Sequence, residues 1–214
     1  MRAAHPDPAG RSRVVRLLLA TRNAHKVEEL RRILAAAGIG AEIVDASAFP
    51  EVPDVAETGA TFADNALLKA RAFASATALP SVADDSGIAV DALNGMPGVL
   101  SARWSGRDGD DRTNLALVLD QLADVPDERR GASFVCAAAV ALPDGTERVV
   151  EGTLPGLVVR EPRGGGGFGY DPVFVPEGET RTTAELSPDE KDAISHRGRA
   201  FRALIPVLRD LLAT

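Results

Sequence analysis

The chain has 214 residues, 45% of them hydrophobic, which supplies enough apolar surface for a substantial core in one large or two small domains. A formal net charge of −7 argues against a general nucleic-acid binder, and a single cysteine, Cys136, rules out an intrachain disulfide framework and fits a reducing cytoplasm. No apolar run is long enough to span a bilayer.

Met1–Arg13, rich in Ala, Pro and Arg and without a hydrophobic h-region, reads as a disordered tail, and residues 14–214 as one mixed α/β domain. Val14–Ala20 is a short apolar strand. After Thr21-Arg22-Asn23, the residues Val27, Leu30, Ile33 and Leu34 recur at helical spacing until Gly38 ends the helix. Ala41–Val44 reads as a second strand and the Pro- and Glu-rich stretch Phe49–Gly59 as a loop. Thr61 caps the next helix, whose apolar side carries Phe62, Ala66, Leu67, Ala70 and Phe73. Ser81-Val82-Ala83 enters a third strand predicted to break at Asp84-Asp85-Ser86-Gly87, with Ile88–Val90 resuming the apolar pattern. Asn94–Asp111, glycine-rich and charged, is expected to be the longest irregular and mobile segment.

Leu115, Leu117, Val118, Leu119 and Leu122 mark another helix. Ala132–Leu142 and Thr146–Thr153, joined by Pro143-Asp144-Gly145, form a β-hairpin in which Cys136 is an inert core residue. Gly164–Asp171 is a flexible loop leading into Pro172–Val175. Ser187-Pro188-Asp189-Glu190 has the capping-box pattern with proline at the first helical position, and a last helix runs from about Ser195 to Leu212 with a kink expected at Pro206.

Three of the 24 basic residues are lysines, Lys26, Lys69 and Lys191, and each falls in a motif-like segment. A lysine is a compact point charge that meets a phosphate oxygen end-on, so their placement points to a polyphosphate ligand. The junction of the first strand and helix is an anion site by construction, because backbone N–H groups face the ligand there; Thr21 and Asn23 equally suit plain helix caps. The adjacent carboxylates Asp84 and Asp85 repel unless a cation is shared. A Mg²⁺ site with Glu57 as second carboxylate and a solvated Asx-turn are the two readings. Gly164, Gly166 and Gly169 formally satisfy GxGxxG, but the run leads into a strand rather than a helix, which excludes a dinucleotide fingerprint. Phe168 and Tyr170 either stack on a base or anchor their loop to the core. His196 and Arg197 are suited to hydrogen-bonding a heterocycle.

Thr21-Arg22-Asn23-Ala24-His25-Lys26, Glu57-Thr58-Gly59-Ala60-Thr61-Phe62, Asn65–Ala70, Ala83–Gly87, Gly167–Pro172 and Ser195-His196-Arg197 together resemble, in that order, the inosine triphosphate pyrophosphatase family of Ham1/RdgB-type enzymes. The resemblance runs from about Val14 to Leu212. It implies an elongated mixed β-sheet with flanking helices, two lobes around a central active-site cleft, and a homodimer. It also implies Mg²⁺-dependent hydrolysis of ITP, dITP and XTP to the monophosphate and pyrophosphate, with no nucleic-acid or membrane partner. By the same resemblance Thr21, Arg22, Asn23, Ala24, His25 and Lys26 wrap the triphosphate and Lys69 adds charge. Glu57 and Asp85 hold Mg²⁺, Asp85 also accepts the water's proton, and Ser86 contacts substrate. Phe168, Gly169, Tyr170, Asp171, Lys191, His196 and Arg197 form the base pocket, with Lys191 and Arg197 as donors to a 6-keto purine. Arg22 where the family commonly has a small residue, a four-glycine run longer than needed, and the extension Met1–Arg13 are departures from the pattern.

Overall fold

The computed structural model describes residues 15–39, 41–106 and 110–212, so the expected tail at Met1–Arg13 lies outside the described residues. Six strands form one sheet in the order β2-β1-β3-β4-β5-β6: β1 (Val15–Leu19), β2 (Ala41–Asp45), β3 (Ser81–Val90), β4 (Gly131–Ala141), β5 (Glu147–Val158) and β6 (Phe174–Pro176). β1 pairs in parallel with β2 and β3, and the remaining pairs are antiparallel. The parallel half is connected through α1 (Ala24–Ala36) and α2 (Phe62–Thr77), as crossover connections require. α3 (Asp111–Gln121), α4 (Pro188–Ile194) and α5 (His196–Leu212) complete the helices.

The helix boundaries follow the local chemistry of the sequence. Asn23 caps α1 by accepting from Lys26 N, and Thr61 and Asp64 make a reciprocal capping box on α2. Ser187 and Glu190 do the same on α4 with Pro188 in the first turn. α1 buries Val27, Leu30, Ile33 and Leu34, the stripe its periodicity predicts, and Gly38 beyond its end takes φ 64°. Pro206 lies inside α5, as expected.

The long central strands carry two lobes. At one end of β3, Val82 packs with Leu17, Leu19, Cys136 and Phe201 on the α1/α5 face, while Ala83 packs with Leu18, Ala66, Ala70 and Phe73 on the α2 face. At the other end Ile88 and Val90 join Leu115, Val118, Phe134, Leu154 and Tyr170 in a third cluster. Between these ends lie Asp84 to Gly87.

Here the sequence-based expectation is corrected. β3 does not break at Asp84-Asp85-Ser86-Gly87; it runs unbroken, with Asp84 opposite Ala138, Asp85 opposite Ala137 and Gly87 opposite Val135. Cations delivered from helices on both faces neutralise the carboxylates, so the backbone stays in the ladder. Gly87 is required by close packing: a Cβ there would stand 2.2 Å from Ser101 Oγ. Ser101 belongs to a 3₁₀ helix, Gly98–Arg103, that lies on β3 and accepts from Ile88 N at 3.0 Å. The segment from Asn94 is thus built onto the sheet through residue 106 rather than irregular throughout; residues 107–109 are outside the described set.

Candidate active site

A cleft of about 420 Å³ opens between the lobes, and every residue nominated from the sequence lines it except Ala24 and Asp84. Ala24 opens α1 and is exposed, so it contributes backbone and no wall. The sites meet because β3 crosses the middle of the sheet while α1, α2 and α5 bring basic side chains to its two faces.

Alternation along β3 separates the two aspartates. Asp84 points to the α1/α5 face, where Lys26 Nζ lies 2.9 Å and Arg197 Nε 3.1 Å from its Oδ2. Burial would raise its pKa, but Lys26, Arg197 and Lys69 outweigh it and hold the carboxyl well below the usual range. Asp85 points to the α2 face, where Lys69 Nζ donates to Oδ1 at 3.1 Å and Asn65 Nδ2 to Oδ2 at 3.1 Å. Asn65 and Lys69 are four apart on α2 and therefore share a face. Lys69 also donates to Glu57 Oε1 at 2.9 Å, so two carboxylates from separate segments converge on one ammonium.

That convergence shapes the titration of the pair. Burial, together with the Glu57 charge, pushes Asp85 above the usual carboxylate range against the pull of Lys69. Burial acts the same way on Glu57, yet Lys69 and Arg103 outweigh it and lower that carboxyl. Arg103 Nη1 donates to Glu57 Oε2 at 3.2 Å and its Nη2 to the Glu57 carbonyl at 3.3 Å. Among the described residues no three His, Cys, Asp or Glu side chains gather as a metal cage. Two hard oxygen donors on a cleft wall fit a divalent cation that keeps its remaining positions for water and phosphate oxygens.

Another part of the cleft wall is aromatic and cationic. Phe168 stacks on His25 with centroids 5.5 Å apart, and Lys191 Nζ lies 5.1 Å from the Phe168 centroid. Tyr170 is the loop anchor of the two aromatics: it is buried and its hydroxyl donates to Ser101 O at 2.8 Å. Asp171 is buried and accepts from Lys191 Nζ at 2.5 Å, Thr183 Oγ1 at 2.8 Å and Phe168 N at 2.8 Å. His196 is stacked on Phe134 at 4.7 Å, and its Nδ1 is buried without a hydrogen-bond partner among the described residues. Burial first, then Arg197 and Lys191, drive its pKa well below the ordinary value, so its ring is neutral at pH 7.

Two expectations change in detail. Arg197, expected to donate to a base, is fully buried, and each of its nitrogens already meets a protein acceptor: Nε meets Asp84, Nη1 meets Glu29 at 2.6 Å and Nη2 meets Ser86 Oγ at 2.7 Å. These bonds brace the cleft wall, which Arg197 also lines, with its guanidinium carbon 5.6 Å from the Phe168 centroid. Arg22 reaches away from the helix N-terminus, pairing with Asp54 and donating to Val52 O at 2.6 Å, which ties the Glu57 segment to the start of α1. The four glycines prove unequal. Gly164 and Gly167 have positive φ and close neighbours, Gly166 is tight against Ala184 O, and Gly165 alone meets open space.

Sequence reasoning missed Glu29, Asn65, Arg103 and Asp111. Glu29 is buried on α1 three residues after Lys26 and four before Ile33, a carboxylate set on an apolar stripe, which is a legible signal. Asn65 carried the same signal relative to Lys69. Asp111 accepts from Gly169 N at 2.8 Å across the cleft mouth, and Arg103 reaches Glu57 across 46 residues; nothing local marks either contact.

The Ham1 family's sequence profile matches residues 17–207. A dITP/XTP pyrophosphatase of Streptomyces coelicolor is 66% identical over 199 residues, covering 93% of this chain and 100% of that protein. The structure of a HAM1 protein from Coxiella burnetii superposes with a TM-score of 0.84 at 41% identity, covering 92% of this chain and 100% of that one. The crystal structure of a nucleoside-triphosphatase / dITP/XTP pyrophosphatase from Mycobacterium abscessus superposes with a TM-score of 0.74 at 59% identity, covering 90% and 100%. With a profile spanning β1 to α5 and both sequence and sheet shared at this level, the chain belongs to the Ham1 family.

Proposed function

We propose that the protein is a Mg²⁺-dependent pyrophosphohydrolase that cleaves ITP, dITP and XTP to the monophosphate and pyrophosphate. The observation that carries the reading is the meeting of Glu57 and Asp85 on the Lys69 ammonium, in a cleft that Phe168, Lys191 and His196 also line. The names of the relatives described above agree with it.

The triphosphate lies along Thr21–Lys26 and Lys69, with the N-terminal amides of α1 and two ammonium groups facing its oxygens. Glu57 and Asp85 hold Mg²⁺, which when bound neutralises phosphate charge and polarises the phosphoryl group. Asp85 accepts the proton of a water attacking the α-phosphorus in line. Lys26 and Lys69 compensate the charge of the departing pyrophosphate. Arg197, through Asp84, holds Lys26 in place and keeps Ser86 oriented towards the cleft.

At the base end Lys191 is a donor-only group, of whose three N–H bonds one is held by Asp171. A 6-keto oxygen accepts from it, whereas the 6-amino group of adenine would oppose donor to donor, so ATP is rejected by an unpaired buried polar group. The proposal extends to a homodimer in the cytoplasm; no helix among the described residues is long and apolar enough to cross a membrane. The protein with Mg²⁺ should release pyrophosphate from ITP and XTP far faster than from ATP, and equal rates across the panel would refute the assignment. Sedimentation at micromolar concentration reads the oligomeric state.

A further inference from the structure

Glu57 has no free oxygen. Oε1 accepts from Lys69 at 2.9 Å, Oε2 from Arg103 at 3.2 Å, and the Glu57 carbonyl takes a second Arg103 nitrogen at 3.3 Å. A carboxylate engaged on both oxygens by fixed cations cannot also serve fully as a ligand to a divalent ion, because the like charges would crowd one site. One of the two must yield. Lys69 projects from the regular helix α2, is bound to both Glu57 and Asp85, and its side chain is only 14% exposed. Arg103 is the last residue of a short 3₁₀ helix, its side chain meets Glu57 alone among the described residues, and it is 37% exposed. Arg103 is therefore the group with the least to lose by moving.

We propose that Arg103 is a displaceable counter-ion: it holds Glu57 in the metal-free protein and shifts onto phosphate oxygens of the nucleotide when metal and substrate arrive together. This rests on the reading above, in which Glu57 is a metal ligand. The chemistry of the exchange is balanced in charge. The cation surrenders Glu57 to the metal and takes the anionic oxygens that the metal-bound nucleotide brings, for which a planar guanidinium has matching bidentate geometry. Its guanidinium is held at Glu57, which lines the cleft, as do Ser101 and Ala102 of its own 3₁₀ helix. Such an exchange makes metal and nucleotide binding mutually reinforcing, since each pays down the other's displacement of Arg103.

The test titrates Mn²⁺ into metal-free protein without nucleotide, followed by electron paramagnetic resonance, for the unaltered chain, Arg103→Ala, Arg103→Lys and Glu57→Gln. Removing the competing guanidinium should tighten Mn²⁺ binding in Arg103→Ala about tenfold while raising KM for ITP by about tenfold, the worth of one charge-assisted contact in each direction. Arg103→Lys should fall between the two. Weaker or unchanged Mn²⁺ binding in Arg103→Ala overturns the proposal and leaves Arg103 as a simple prop for Glu57. Unchanged Mn²⁺ binding in Glu57→Gln overturns it too, by removing the metal-ligand reading beneath it. Absence of pyrophosphate release from ITP by the unaltered protein would instead defeat the proposed activity, and the metal titration reads Arg103 independently of turnover.

Discussion

Because side chains alternate along a strand, Asp84 and Asp85 leave β3 on opposite faces and enter different environments. Asp84 lies under the cleft floor between Lys26 and Arg197, while Asp85 lines the cleft beside Lys69 and Asn65. Their substitution should separate chemistry from stability. Asp85→Asn keeps the shape of the side chain and an acceptor for Lys69 but removes the proton acceptor. Turnover measured by pyrophosphate release should fall by about 10²–10⁴-fold with the melting temperature nearly unchanged. Asp84→Ala leaves Lys26 and the fully buried Arg197 without their shared carboxylate. It should destabilise the fold by about 3–5 kcal/mol in denaturant titration, because an uncompensated buried charge is costlier than the pair was worth.

At the scale of elements, α5 positions Arg197 and His196 by lying close on β5, and a glycine permits the approach. A Cβ at Gly152 would stand 2.3 Å from His196 O and 2.4 Å from Ala200 N. Gly152→Ala must therefore push α5 outward, with an expected loss of about 1–3 kcal/mol in thermal unfolding and a fall in turnover as the Arg197 brace shifts. The caps, helical stripes and hairpin were legible in the sequence because each rests on contacts a few residues apart: Asn23 with Lys26, Thr61 with Asp64, Ser187 with Glu190. The continuity of β3 was not. Locally Asp84-Asp85-Ser86-Gly87 reads as a turn, and only the β4 ladder and the cations from α1, α2 and α5 make an extended conformation the better one.

Over the whole molecule, one buried network of Lys26 and Glu29 on α1, Asp84 on β3 and Arg197 on α5 ties three elements around the cleft. Its effect on acid stability has a definite sign. Asp84 is held well below its ordinary value of 3.8, so the unfolded chain takes up its proton more readily than the native one. The stabilisation is fully present above about pH 4 and is lost progressively as the pH falls towards the depressed folded value. Urea midpoints of the unaltered protein should therefore drop steeply below about pH 4, and the slope should be shallower in Asp84→Asn, whose side chain does not titrate. A parallel slope in the two proteins would remove Asp84 as the source.

The order of motifs, the lysine placement and the periodicity of the helices determined the fold class, the family resemblance and more than half of the residues that line the cleft. Each of these is written in residue type and spacing, which the chain carries before it folds. Tertiary structure alone decided which charge faces which. It set Arg197 against Asp84, turned Arg22 towards Asp54, and brought Arg103 to Glu57. Those pairings join residues 32 to 113 positions apart, and their partners are selected by burial and by the need to neutralise charge out of water, conditions that exist only once the sheet and its helices have packed.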